Sequence, residues 1–265
     1  MDQKKVTAPS LMEMKARGEK ISVLTAYDYA FGRVADEAGI DVVLVGDSMG
    51  MVVLGYETTL QVTMEDMLRH SAAVARGAQR ALVVADMPFM SYQVSEEEAL
   101  RNAGRLMKES CVQAVKLEGS DHIADILRRI VDIGIPVMGH VGLTPQSVNQ
   151  LGGFRMQGKD AENADRIRRE AQALQDAGAF AVVLEAIPAT LAKEITSELA
   201  IPTIGIGAGP DCDGQVLVLH DMLGLNDRHV PSFVKQYASL WQISLDAIKA
   251  YDADVKEGRF PARKK

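Results

Sequence analysis

Val112-Gln113-Ala114-Val115-Lys116-Leu117, then Asp121–Asp132, then Ile135-Pro136-Val137-Met138-Gly139: this stretch decides the fold. Its outer runs are nearly continuous apolar segments rich in valine, as in strands buried on both faces of a parallel sheet. The segment between them repeats apolar residues at three- and four-residue steps with charges on the other face, which is helical period. Gly134 fits the stop of that helix. The unit is strand, helix, strand.

Working outward, the same unit recurs. Further strands are predicted at Ile21–Ala26, Asp41–Val45, Ala81–Ala85, Phe180–Leu184, Pro202–Ile206 and Gln215–Leu219, with helices at Met64–Gly77, Ser95–Ser110, Ala161–Ala177 and Ala189–Leu199, and with Gly77 and Gly178 as further stops. Eight strands in 265 residues match a (β/α)8 TIM barrel, because an open doubly wound sheet usually stops at five or six. Length alone would allow two domains, but no Pro-, Gly- or Ser-rich linker divides the chain, so residues 1–265 read as one domain. A short helix at Ser10–Arg17 is placed to close the barrel floor, and Ser232–Lys265 reads as a terminal helix or two with a basic end.

Composition narrows the partners. With 36 acidic and 29 basic side chains the net charge is −7, the wrong sign for following a phosphate backbone, so nucleic acid is not expected. Met1–Lys20 lacks the apolar run of a signal peptide or membrane span, and a cytoplasmic location with no membrane partner is expected. Cys111 and Cys212 match no metal-ligand or redox spacing and read as reduced, buried thiols.

In a barrel of this kind chemistry sits at the carboxyl ends of the strands. The first polar residues there are Asp28, Asp47 with Ser48, Asp86, Lys116 with Glu118, His140, Glu185, and the turn Gly205-Ile206-Gly207-Ala208-Gly209. Ionisable groups at one end of successive apolar strands point to a site, since isolated buried charges are costly. The plainer readings stand beside it. An aspartate at a strand end is often a helix N-cap, which fits Asp28 as well as a site role does. Asp47 and Asp86 have no helical pattern immediately downstream, so capping fits them poorly. Lys116 and Glu118 share a face and could satisfy each other. His140 could equally be a structural histidine. Glu185 ends so apolar a strand that desolvation would raise its pKa, which suits a general base. Carboxylates without a Cys or His cluster favour Mg²⁺ over zinc. The glycine turn could cradle a phosphate or only permit close approach. Ser48–Val62 and Gly142–Asp160 are long enough to be lids or binding loops, and Met49, Met51, Met87 and Met90 near the mouth read first as packing.

Seven motifs then fall in order at these strand ends: Thr25-Ala26-Tyr27-Asp28, Val45-Gly46-Asp47-Ser48-Met49-Gly50, Ala85-Asp86-Met87-Pro88-Phe89, Val115-Lys116-Leu117-Glu118-Gly119, Gly139-His140-Val141-Gly142-Leu143-Thr144-Pro145-Gln146-Ser147, Leu184-Glu185 and Ile204-Gly205-Ile206-Gly207-Ala208-Gly209. Over nearly its whole length the chain resembles the ketopantoate hydroxymethyltransferase family. That resemblance implies a barrel of the phosphoenolpyruvate/pyruvate class that carries a one-carbon unit from 5,10-methylenetetrahydrofolate to 3-methyl-2-oxobutanoate. It further implies Asp47, Asp86 and Glu118 around Mg²⁺, contacts from Asp47, Ser48, Asp86, Lys116 and His140 to the oxo acid, and Glu185 as proton acceptor. A homodecamer, a pentamer of dimers, is the assembly it implies. Two rival readings are a metal-dependent C–C lyase of the same barrel class, which would commonly supply a catalytic cysteine, and a non-catalytic oxo-acid sensor.

Overall fold

Eight parallel strands close on themselves in chain order in the computed structural model, which describes residues 4–119, 121–226 and 230–262. They are β1 Ile21–Thr25, β2 Val42–Val45, β3 Leu82–Asp86, β4 Ala114–Glu118, β5 Val137–Gly142, β6 Ala181–Glu185, β7 Thr203–Ile206 and β8 Gly214–Leu217, and β8 pairs back onto β1. The helices are α1 Ala8–Ala16, α2 Tyr29–Glu37, α3 Met49–Val52, α4 Met64–Gly77, α5 Glu96–Ser110, α6 Ala124–Asp132, α7 Val148–Leu151, α8 Ala161–Asp176, α9 Ala189–Glu198, α10 Leu219–Met222 and α11 Leu240–Lys256. The chain divides into two compact units, Met1–Leu217 and Val218–Lys265.

The barrel unit is the predicted one with physical differences. Between β7 and β8 there is no helix, and residues 207–213 cross directly. The eighth strand starts at Gly214 instead of Gln215 and stops at Leu217, because Leu219 already begins α10. At the other end of the strands the difference matters for chemistry. Asp86, Glu118, His140 and Glu185 belong to the strands themselves, held by ladder pairing, where the sequence placed most of them just beyond. Both long loops contain a short helix, α3 and α7.

Strand alternation builds the interior in layers. Ile21, Val23, Val42, Leu44, Leu82, Val84, Ala114, Met138, Ala181, Val183, Ile204 and Val216 form one buried cluster, closed below by Val6 and by Leu11 of α1. Burying a side chain such as Leu11 stabilises the fold by roughly 1.5–3 kcal/mol. Thr7 and Ser10 form a reciprocal capping box that starts α1 where it can cover the floor. Successive inward positions lie two residues apart. One step past Val84, Ala114, Met138 and Val183 come Asp86, Lys116, His140 and Glu185, so a polar layer rests on apolar ones.

One sequence reading is refined and another corrected. Gly77 ends α4 as expected but without positive φ, and a Cβ there would lie 2.5 Å from Tyr29 O and 2.8 Å from Arg33 N, so it lets α4 touch α2. Cys111 is exposed, in left-handed conformation at the end of α5, while Cys212 is buried as expected. Gly134 and Gly178 do adopt positive φ after their helices. In the unit Val218–Lys265, α11 buries none of its residues, and Trp241, Ile243, Ile248 and Tyr251 are exposed. Among the described residues no helix is long and apolar enough to cross a membrane.

The same substitution at two helical glycines should act in opposite directions. Gly77→Ala forces backbone apart and should cost about 1–3 kcal/mol. Gly104 in α5 has nothing within 4 Å of an added Cβ and ordinary φ, so Gly104→Ala should stabilise by about 0.4–1 kcal/mol. Urea unfolding midpoints check both signs.

Candidate active site

Cross-strand register explains the pairs in the polar layer. Asp86 and Lys116 are Cα partners across β3 and β4, and Lys116 Nζ lies 2.7 Å from Asp86 Oδ1. Its distance to Glu118 on the same strand is 4.0 Å, so the lysine's close partner is across the ladder, not along it. Glu118 faces His140 in register across β4 and β5, with His140 Nδ1 at 3.5 Å from Oε1. One diagonal step further, His140 Nε2 is 3.1 Å from Glu185 Oε2. On the far side the Asp47 amide donates to Asp86 Oδ2 at 3.1 Å. Asp47, Asp86, Lys116, Glu118, His140 and Glu185 therefore form one linked array.

All but one of these groups are almost wholly buried. Glu185 keeps 18% of its side chain exposed, so it opens toward the mouth beside His140 and not into the apolar surroundings that the strand pattern suggested. Burial first, then Asp86 and Glu118, push the Asp47 carboxyl well above the usual range. Burial also works against charge on Glu118, but His140, Lys116 and the Gln146 amide outweigh it and hold this carboxyl low. For Lys116 burial is overcome by Asp86, Glu118 and Asp47, and the ammonium is held protonated. Burial and Lys116 push the His140 imidazole down, yet its contacts to Glu118 and Glu185 prevail and it is pushed up to about 9.

Two residues that the sequence reading gave no role tie the array together. Gln146, in the turn after β5, donates from Nε2 to Asp47 Oδ2 at 2.9 Å and to Met87 O at 3.0 Å, while its backbone amide donates to Glu118 Oε2 at 2.9 Å. Tyr92 lies with its hydroxyl 2.9 Å from Gln146 Oε1 and 2.8 Å from Glu118 O, and accepts from the Glu118 amide at 3.1 Å. Gln146 stands inside the quoted motif Thr144-Pro145-Gln146-Ser147, so its position was visible there; Tyr92 gave no signal. Ser48, beside Asp47, is hydrogen-bonded to the buried Tyr27 hydroxyl at 2.9 Å.

Glycine makes room where the layer is tightest. A Cβ on Gly46 would sit 2.7 Å from Ser48 Oγ and 3.5 Å from Asp86 Oδ2, inside the site. Gly142 has φ +95°, and a Cβ there would collide with the Glu185 carbonyl, which accepts the Leu143 amide at 2.9 Å. The turn at Gly205–Gly209 serves close approach: an added Cβ at Gly209 would run into Ala189.

The remaining candidates fall outside. Asp28 is the N-cap of α2, accepting the Phe31 amide at 2.8 Å. A one-turn helix, α3, does follow Asp47, but Ser48 holds the cap position and no side chain caps it. Met49 and Met87 are fully buried packing, while Met90 is half exposed. Neither cysteine lies in the array, which removes the acid expected of a lyase.

Comparison with known proteins agrees with this geometry. The sequence profile of the family described as Ketopantoate hydroxymethyltransferase matches residues 5–263. A 3-methyl-2-oxobutanoate hydroxymethyltransferase of Syntrophotalea carbinolica is 59% identical over 98% of this chain and 97% of that protein. Another, of Carboxydothermus hydrogenoformans, is 58% identical over 98% and 94%. Among solved structures, 2,3-dimethylmalate lyase of the PEP mutase/isocitrate lyase superfamily matches with TM-score 0.62 at 18% identity, covering 99% of this chain and 92% of that one. Phosphonopyruvate hydrolase in complex with oxalate and Mg²⁺ matches with TM-score 0.64 at 10% identity, covering 98% and 92%. At those identities the structures speak for the fold alone, a TIM barrel. Sequence carries the rest: the chain is an enzyme belonging to the ketopantoate hydroxymethyltransferase family.

Proposed function

We propose that this enzyme moves a hydroxymethyl group from 5,10-methylenetetrahydrofolate to C3 of 3-methyl-2-oxobutanoate, giving 2-dehydropantoate (ketopantoate) in pantothenate and coenzyme A biosynthesis. The observation that carries the reading is the charge of the polar layer. When all four carboxylates, Asp47, Asp86, Glu118 and Glu185, are ionised they outnumber the two cations, Lys116 and His140, by two charges, which one divalent cation would balance. The lack of that charge goes with the raised Asp47 carboxyl, which burial, Asp86 and Glu118 push up.

The residues present fit Mg²⁺. Asp47 and Asp86 offer hard oxygens in a buried pocket that Gly46 leaves free of side chain, and the raised Asp47 carboxyl marks a place short of positive charge. Among the described residues no three His, Cys, Asp or Glu side chains gather into a metal cage. Mg²⁺ needs none, since it binds one or two carboxylates and completes its shell with water and substrate oxygens. Asp47 and Asp86 would hold it, with Glu118 completing its surroundings. When bound, the ion would draw electron density from the carboxylate and keto oxygens of the oxo acid and make the adjacent C–H more acidic.

The chain's own groups do the rest. Glu185 takes the proton from C3, while His140, protonated at neutral pH, holds its carboxylate in place across 3.1 Å. Lys116 puts a buried positive charge against the oxygen that becomes negative, and Ser48 anchors the acid at the rim. C3 bonds to the methylene carbon of the folate as the bond from that carbon to one folate nitrogen breaks. Water then displaces the second nitrogen, which leaves with the electron pair and takes up a proton, and tetrahydrofolate departs. Homo-oligomeric assembly belongs to the same proposal, supported by the exposed apolar residues of α11. The lyase alternative has only fold likeness behind it.

The direct test mixes enzyme, Mg²⁺, 5,10-methylenetetrahydrofolate and a panel of 2-oxo acids, with products identified by mass spectrometry. Ketopantoate should form from 3-methyl-2-oxobutanoate, excess chelator should stop it, and full turnover in chelator would refute the metal assignment. Glu185→Gln should retain oxo-acid binding yet lose about 10²–10⁴ in the rate of deuterium wash-in at C3 without folate. Exchange at the wild-type rate would reassign Glu185 as a substrate contact. Gln146→Leu removes the amide that steadies Asp47 and should weaken Mg²⁺ binding about 10- to 100-fold by calorimetry.

A further inference from the structure

Beside the mouth, on the rim formed by the segment after β3, lies a cleft of about 410 Å³ that the array above does not use. Residues 60–65 form one wall, the loop Pro88–Ser91 another, and Glu98, Asn102 and Arg105 of α5 the third. The loop leaves the strand that carries Asp86, so the cleft adjoins the reacting layer. Apolar and aromatic side chains contribute to its lining: Phe89 is 38% exposed and Met90 50%.

Two polar side chains of the cleft, Ser91 and Glu98, have no hydrogen-bond or ion-pair partner among the described residues. Ser91 is only 4% exposed, yet its hydroxyl makes no hydrogen bond among the described residues. Glu98 gives its backbone amide to the capping Ser95 Oγ at 3.2 Å, while its carboxylate pairs with no described group. Asn102 donates one of its two amide hydrogens to Ser91 O at 2.7 Å, which fixes the amide with its oxygen and second N–H unused. Arg105 is already engaged by Glu65 and Glu109. What remains for a ligand is the Glu98 carboxylate, the Asn102 amide and the Ser91 hydroxyl beside the Phe89 ring. Strain marks the same loop: Met90 has φ +66°, which costs a side-chain-bearing residue about 1–3 kcal/mol and persists where surrounding structure enforces it.

We propose that this cleft seats the pteridine ring of the one-carbon carrier, stacked on Phe89 with its adjacent N–H donors directed to Glu98, Asn102 and Ser91. This rests on the folate-dependent reaction proposed above. A planar 2-amino-4-oxo heterocycle presents neighbouring N–H groups on one edge, which the Glu98 carboxylate flanked by amide and hydroxyl oxygens can match, and the cleft volume lies in the range of small-molecule sites. Seating the ring there leaves the methylene-bearing nitrogens on the mouth side, where C3 of the oxo acid must meet the transferred carbon.

The test uses the full chain with Mg²⁺ and two variants. Glu98→Gln and Ser91→Ala should each weaken tetrahydrofolate binding by about 10-fold in calorimetric titration. Both should raise the KM for 5,10-methylenetetrahydrofolate, leaving the KM for the oxo acid and the folate-free C3 exchange at wild-type levels. Ser91→Ala removes a buried hydroxyl that has no partner, so its Tm should equal or exceed wild type, and lost affinity then cannot come from misfolding. Wild-type tetrahydrofolate affinity in both variants, or an equal rise in both KM values, would overturn the proposal. If the wild-type enzyme binds tetrahydrofolate but forms no hydroxymethylated product, the reaction falls while the cleft is still tested by the variants.

Discussion

The Lys116–Asp86 pair, 2.7 Å apart and almost wholly buried, is the interaction on which the site turns. Two charges taken out of water cost several kcal/mol each, and their attraction repays this only when geometry is good and the remaining oxygens are satisfied. Here the second Asp86 oxygen accepts the Asp47 amide, and the lysine is shared with Glu118 at longer range. Each charge in the layer is tolerated because the next one faces it. Removing one member would strand the others, so the array behaves as a unit.

Strand periodicity makes such a unit possible at low structural cost. The inward columns of β3, β4, β5 and β6 are apolar at the floor and ionisable at the top, with two-residue spacing between layers. Tightly packed aliphatic layers below hold the backbone register, and that register sets Asp86 opposite Lys116 and Glu118 opposite His140. Stability and chemistry are thus stacked along the same strands. Placing the site on strands rather than on loops fixes its members within fractions of an ångström, which polar catalysis requires.

The turns at the rim add what the ladder cannot. Gln146 reaches Asp47, Met87 and Glu118 from one short segment after β5, and Tyr92 fixes that glutamine from the loop after β3. The same β3 loop bears the strained Met90 and the unpartnered Ser91 hydroxyl that line the neighbouring cleft. One connection therefore serves the reacting layer on one side and the neighbouring cleft on the other.

Local pattern alone determined the alternation of strands and helices, the barrel count, the floor helix, and which residues would form the ionisable layer. These follow from period: apolar runs and three-to-four spacing are written in neighbouring residues, and parity assigns Asp86, Lys116, Glu118, His140 and Glu185 to one face. Partner choice was not written there. That Lys116 pairs with Asp86 more closely than with Glu118, that Asp28 caps α2, that Gly77 admits a helix contact and that Cys111 is exposed depend on segments brought together across the fold. Tyr92 and Gln146 meet although they are 54 positions apart. Closure of the barrel sets such distances, because ladder register and turn geometry are properties of assembled neighbours, which no single segment contains.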